Sequence, residues 1–243
     1  MPLNTLNLVT DWLNANQGLL TLILFVATVL FGWASGIFSS LRRRPKFKIQ
    51  LLDGPTFCCI YSTGNEANGI PTHQVAFALY LRVSNVGSQA SSIEAVKVGY
   101  HWNLARFSNQ WLKFTIGWFW LDKLSVALED FQVVIGKSVK VFPFLFQKTY
   151  LSQVSQETYL EPGRSAIGVV YFEQPESWGG CQPKTRRGKV PVRIRLDDAF
   201  GGAHYHTRSV PLVGLGEARK YNPSFGKTFT NLSGTTLPFD NGN

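Results

Sequence analysis

The sequence predicts an all-β domain, an antiparallel sandwich or barrel with a large aromatic-rich insertion, preceded by one transmembrane α-helix. Three observations carry that prediction. Residues 18–38, GLLTLILFVATVLFGWASGIF, hold no charge over roughly 30 Å of helix, the thickness of a bilayer's hydrocarbon core. Beyond them, short runs of alternating apolar and polar residues recur between turn signals, which is the pattern of half-buried strands. Between two of those runs, residues 102–150 concentrate aromatic side chains.

The helix is apolar all round, unlike the amphipathic helix of a soluble domain. Its polar side chains are Thr21, Thr28 and Ser35, whose hydroxyls can bond back to the helix backbone. Residues 1–17 carry one charge, Asp11, whereas Arg42, Arg43, Arg44, Lys46 and Lys48 follow the apolar run. A cleavable signal peptide has the opposite layout, with its cations first. The positive-inside rule then places the N-terminus outside and the C-terminal domain in the cytoplasm, at an inner or plasma membrane. Trp12 and Trp33 flank the segment as interfacial aromatics. Residues 39–48 form a basic linker suited to anionic headgroups of the inner leaflet. Gly32 and Gly36, with Thr28 one spacing earlier, form a small-residue face for self-association of the helix.

Of 243 residues, 24 are Lys or Arg against 15 Asp or Glu, a formal charge of +9. Five of those cations belong to the juxtamembrane run, so what remains is too mildly basic to argue for sequence-specific nucleic acid. The cysteines, Cys58, Cys59 and Cys181, are odd in number and lack metal-ligand spacing, which fits a reduced compartment. Cys58 and Cys59 lie in an apolar run and read as packing residues.

Taken in order, Phe47, Ile49 and Leu51 alternate with Lys48 and Gln50 as a first strand, and residues 57–61 make a second. The clearest strand follows, with Val75, Phe77, Leu79, Leu81 and Val83 on one face and the turn Asn85-Val86-Gly87 at its end. Residues 92–100 are expected to pair with it. Residues 166–172 and 190–196 are further strands. A turn at residues 198–202 returns the chain through residues 204–212. The domain is thus expected over 47–212, and residues 213–243, rich in Gly, Asn, Ser and Thr, as a flexible tail.

The stretches LYLRVSNVGSQASSI and VRIRLDDAFGGAHYHTRSV resemble, at the level of fold, the immunoglobulin-like sandwiches of bacterial surface and accessory proteins. The resemblance implies an immunoglobulin-like antiparallel sandwich and no particular function. The Cys–Trp–Cys core of antibody domains is absent.

Two regions are candidates for recognition. In the insertion, Trp111, Trp118, Phe119 and Trp120 can form a protein or membrane interface, since Trp is favoured at both; their alternative use is to supply core and cover a sheet edge. In the last hairpin, a turn centred on residues 200 and 201 sets Leu196 opposite Tyr205 on the core side. The outer face then shows Asp197 with His204, Arg195 with His206, and Arg193 with Arg208. Like charges opposed in a sheet destabilise it, and a bound anion would relieve that, so Arg193, Arg195, His204, His206 and Arg208 form a candidate anion site. A one-residue bulge at the glycines would change this pairing. His204 and His206 are also half of a metal pair, but the spacing of His73, His101 and Cys181 singles out no third ligand, and no metal is expected.

No Walker or Rossmann phosphate loop, GxSxG elbow or HExxH occurs. Asp197 and Asp198 point to opposite faces of a strand and cannot act as a carboxylate pair. The sequence therefore reads as a membrane-tethered, non-enzymatic binding or assembly module without a cofactor, acting with itself or a partner protein. The alternative is a sensor-effector that binds an anionic or nucleotide ligand on the basic face and oligomerises through its helix. Its layout is similar to small membrane-anchored β-domain effectors of bacterial anti-phage systems.

Overall fold

The computed structural model describes residues 11–36, 44–104, 107, 110–125, 127–145 and 158–227. They fall into two compact units, Met1–Arg44 and Pro45–Asn243. The cations Arg42 and Arg43 lie outside the described residues, as do residues 228–243 of the expected tail.

In the first unit, helix α1 (Gln17–Ala34) is long and apolar enough to cross a membrane, and none of its residues is buried within the protein. A membrane span and a signal sequence share that description. Thr21 and Thr28 donate to the carbonyls of Gln17 and Leu24, 2.8 and 2.7 Å away, and Ser35 donates to Gly32. The helix stops before the expected boundary at residue 38. Ser35 caps it, and Gly36 adopts a left-handed φ of 75°, which glycine tolerates at a helix C-terminus. Gly36 therefore terminates the helix instead of extending the small-residue face. Thr28 and Gly32, four residues apart, remain together on it.

The second unit is mostly β-sheet. Its strands are β1 (Phe47–Leu51), β2 (Phe57–Ala67), β3 (Ile70–Asn85), β4 (Ser91–Tyr100), β5 (Phe119–Leu121), β6 (Phe131–Ile135) and β7 (Ser138–Phe142). There follow β8 (Tyr159–Leu160), β9 (Ser165–Glu173), β10 (Ser177–Trp178), β11 (Lys189–Asp198) and β12 (Ala203–Val213). β3 is the centre of one half, with β1 and β2 along one edge and β9 and β10 along the other. The other half runs β12–β11–β4–β5, and β8 also pairs with β4. Leu212 and Val213 of β12 pair in parallel with Cys58 and Cys59 of β2, joining the halves into one ten-stranded sheet.

One core lies where the halves face each other. Val75, Phe77, Leu79, Leu81 and Val83 share it with Val96, Val98, Tyr100, Val190, Val192, Ile194 and Leu196. The alternation of β3 is thus as the sequence predicts. Its opposite face is covered as well. Ala76 and Ala78 are small, and over them pack Phe57, Phe131, Phe142, Phe144, Tyr171 and Phe225. Cys58 and Cys59, adjacent on β2, point one into each core, fully buried. Burial pushes both thiols up, Cys59 to about 11, so neither is a thiolate at neutral pH.

Two expectations are corrected here. β4 pairs with β11, not β3, because both edges of β3 are already occupied. Asn85 fixes the crossing. Its buried amide donates to the carbonyls of Gln89 and Leu160 at 2.7 and 2.9 Å and accepts from the N–H groups of Gly87 and Lys46. Nor do residues 213–227 behave as a loose tail. Helix α2 (Leu215–Ala218) and the turn after it bury Ala218 and Phe225 against the second core.

The insertion both supplies core and covers edges. Phe131, Phe142 and Phe144 fill the second core, β5 extends the edge of β4, and the backbone of Pro143 and Leu145 bonds to Val169 of β9. At Gly168 a Cβ would come within 2.4 Å of the Leu145 backbone, so only glycine admits that close approach.

Candidate functional site

The outer face of the β12–β11–β4–β5 half carries the candidate site, and its composition follows from the β11–β12 turn. Asp197 pairs with Ala203, Arg195 with Tyr205 and Arg193 with Thr207. The turn holds one residue more than a tight two-residue connection. Asp198 accepts the N–H groups of Phe200 and Gly202 on Oδ1, and Gly201 takes a φ of 77°. The pairing therefore differs by one residue from the sequence expectation, and in a strand a one-residue slip moves every side chain to the other face. Tyr205 moves out beside Arg193 and Arg195. His204, His206 and Arg208 move to the inward side, opposite Leu196, Ile194 and Val192. The five residues of the expected anion site are thus divided between two faces.

On the outer face, β4 places Lys97 beside Arg195 and Gly99 beside Arg193. Gly99 leaves room for Trp120 of β5, whose ring lies 3.0 Å from where a Cβ would stand. Trp118, two residues earlier, stacks on His101 at 4.1 Å, and the His101 Nδ1–H donates to the Gly117 carbonyl at 2.8 Å. Trp118 and Trp120 lie 6.5 Å apart, and Trp120 lies 6.5 Å from Tyr205. Above this aromatic floor the Arg193 guanidinium sits 4.4 Å from the Tyr205 ring and 5.9 Å from the Trp118 ring.

The cations of this face differ in their partners. Asp197 receives both Lys97, at 3.2 Å, and the Nε–H of Arg195, at 2.7 Å. Burial pushes the Asp197 carboxyl up, but the hydrogen bonds from Arg195 and Lys97 outweigh it and hold its pKa below the ordinary value. Among the described residues, Arg193 makes no ion pair. It lies over the Tyr205 ring with Trp118 at the limit of cation–π range, contacts that use none of its N–H donors and leave them for an outside acceptor. Three cations and one carboxylate leave the face positive, and it can bind an anion beside a planar or apolar group.

The other expected residues lie elsewhere. Phe119 points inward and packs on Tyr100, Trp102 and Phe114, so it is core and not interface. Trp111 precedes a π-helical turn (Leu112–Ile116) and stacks on Phe107 at 5.7 Å. His204 is tied down. Its Nε2 donates to Asp198 at 2.8 Å and its Nδ1 accepts the Phe47 N–H at 3.3 Å. His206 and Arg208 line an open cleft of about 700 Å³ with Gln50, Asp53 and Thr56, where burial and the neighbouring Arg208 hold the His206 pKa down. Arg44, Lys46 and Lys48 are exposed. Among the described residues no group of three His, Cys, Asp or Glu gathers as a metal site. The members sequence reasoning missed are Tyr205, Lys97 and His101. The spacing Asp198-x-x-Gly201, which marks a three-residue hairpin loop, was the signal that would have found Tyr205.

No family model matches this chain, and no curated protein matches it. Among solved structures, a β-glucosidase involved in saponin metabolism from intestinal bacteria is similar over 70% of this chain, at 12% identity and a TM-score of 0.21. The chain spans 16% of that protein's length, and a likeness at this score says nothing about function.

Proposed function

We propose that this chain is a single-pass, membrane-anchored binding and assembly module without a catalytic site, with its domain on the cytoplasmic side of an inner or plasma membrane. The apolar α1 and the basic residues after it support the anchor and its orientation, with Arg42, Arg43, Arg44, Lys46 and Lys48 against anionic headgroups. The shared core between the two halves of the sheet supports an immunoglobulin-like sandwich. Association through Thr28 and Gly32 of α1 completes the assembly role.

The observation that carries the binding role is Arg193, over the Tyr205 ring and beside Trp118, without a carboxylate partner among the described residues. Arg, Trp and Tyr are the residues on which binding energy concentrates at interfaces. The partner this face suits presents a carboxylate or phosphate next to an apolar or planar group. The same guanidinium also supports the second reading, a sensor-effector that takes an anionic or nucleotide ligand, in that reading on the outer face.

A photoreactive benzoylphenylalanine in place of Trp118, in the full-length protein in its native membrane, tests both. Adducts that disappear in Arg193→Glu support a partner on this face. Adducts unchanged by that substitution count against it. Adducts whose pattern changes when nucleotides are added favour the sensor.

A further inference from the structure

The β6–β7 hairpin has a base the fold explains and an end it does not. At the base, Phe131 and Phe142 pair across the strands, both buried, and the Gln132 N–H donates to the Tyr221 carbonyl at 2.7 Å. At the other end, Val134 and Val139 are a cross-strand pair, 69% and 55% exposed, and Val141, 51% exposed, lies on the same face. Ile135, 60% exposed, closes the tip beside Gly136, whose φ of 63° makes the tight connection. Lys137 and Lys140 accompany these residues, and no Asp or Glu occurs from 131 to 143. Exposed aliphatic side chains on a hairpin whose own charged residues are both cations have the composition of an anionic interface binder.

We propose that this hairpin is an interfacial anchor. It dips Val134, Ile135, Val139 and Val141 into an anionic lipid surface while Lys137 and Lys140 meet the headgroups. The proposal rests on the reading of α1 as a membrane span. Twelve residues, 35–46, separate α1 from β1 and reach at most about 40 Å, so a spanning α1 keeps the domain beside a bilayer. Under that tether a weak insertion suffices. A second copy of the hairpin fits the patch less well, because Lys137 and Lys140 of the two copies would face each other.

The test uses the full-length chain, with Cys181→Ser, in vesicles of phosphatidylcholine and phosphatidylglycerol. An environment-sensitive fluorophore is attached at Ile135→Cys, at Leu24→Cys or at Ile70→Cys, an exposed control at the end of β3 far from the basic linker. The expected result is blue-shifted emission at 135 that lipids spin-labelled near the headgroup quench, with aqueous emission at 70. Lys137→Gln and Lys140→Gln each lower the ratio of inserted to free hairpin about fivefold. If deep spin labels quench position 24 while 135 stays aqueous, the hairpin proposal fails and the anchor stands. If neither position is quenched, the anchor reading fails and takes the hairpin with it. Equal quenching at 70 and 135 overturns the proposal, and so does a blue shift at 135 that lipids do not quench and that dilution of the protein removes.

Discussion

His204 donates a 2.8 Å hydrogen bond to Asp198 across the β11–β12 turn, and that contact helps decide which residues face outward. The Asp198 carboxylate accepts on both oxygens, from His204 on Oδ2 and from the Phe200 and Gly202 N–H groups on Oδ1. An asparagine at 198 keeps one oxygen and gains an NH2, so either the backbone or His204 meets a donor. His204 cannot escape by changing tautomer, because its Nδ1 already accepts the Phe47 N–H. Asp198→Asn should therefore cost about 2 kcal/mol, read as a fall of about 5 °C in the melting temperature of the domain.

The same carboxylate gives a pH dependence. Burial pushes the Asp198 pKa up, but the bonds from His204, Gly202 and Phe200 outweigh it and the net shift is downward. A depressed carboxylate contributes stability above its unfolded pKa, about 3.9, and loses it as pH falls through the folded value. Acid unfolding followed by tryptophan fluorescence should begin at higher pH in Asp198→Ala than in the native chain.

Arg193 and Arg195 should separate cleanly. Arg195 is bonded to Asp197, whereas Arg193 rests on rings. Arg193→Ala should change stability by about 1 kcal/mol or less, while abolishing crosslinking from position 118. Arg193→Lys should fail to restore it, because an ammonium neither stacks nor presents a planar fork.

Gly99 should be intolerant of a side chain only while Trp120 covers it. Gly99→Val drives a branched side chain into a ring already 3.0 Å from the Cβ position. Its destabilisation should be largely relieved in the double variant with Trp120→Ala, which a double-mutant cycle on urea unfolding would show.

Asn85→Ala leaves the buried Leu160 carbonyl and the part-buried backbone groups of Gln89 and Gly87 without their partner. A loss of about 3 kcal/mol is expected. Hydrogen exchange should show faster opening at β1 and at the 85–89 turn together.

The apolar helix and the positions of the main strands are legible in the chain, because they depend on local composition and on periods of 2 and 3.6 residues. Val75 to Val83 alternate in the chain as they alternate in the core, and Cys58 and Cys59 read as buried before any contact was known. The helix end was also written in the chain, but ambiguously, since Gly36 can continue a small-residue face or stop a helix. The strand pairings, by contrast, follow from long-range packing. β4 joined β11 because β3 had no free edge, and residues 215–225 ordered because β3 exposed a second apolar face to them. The candidate site depended on a single extra residue in one turn. Tyr205 stands beside Arg193 because the Asp198–Gly202 loop is odd, and a strand's period of two turns that one-residue difference into a change of face.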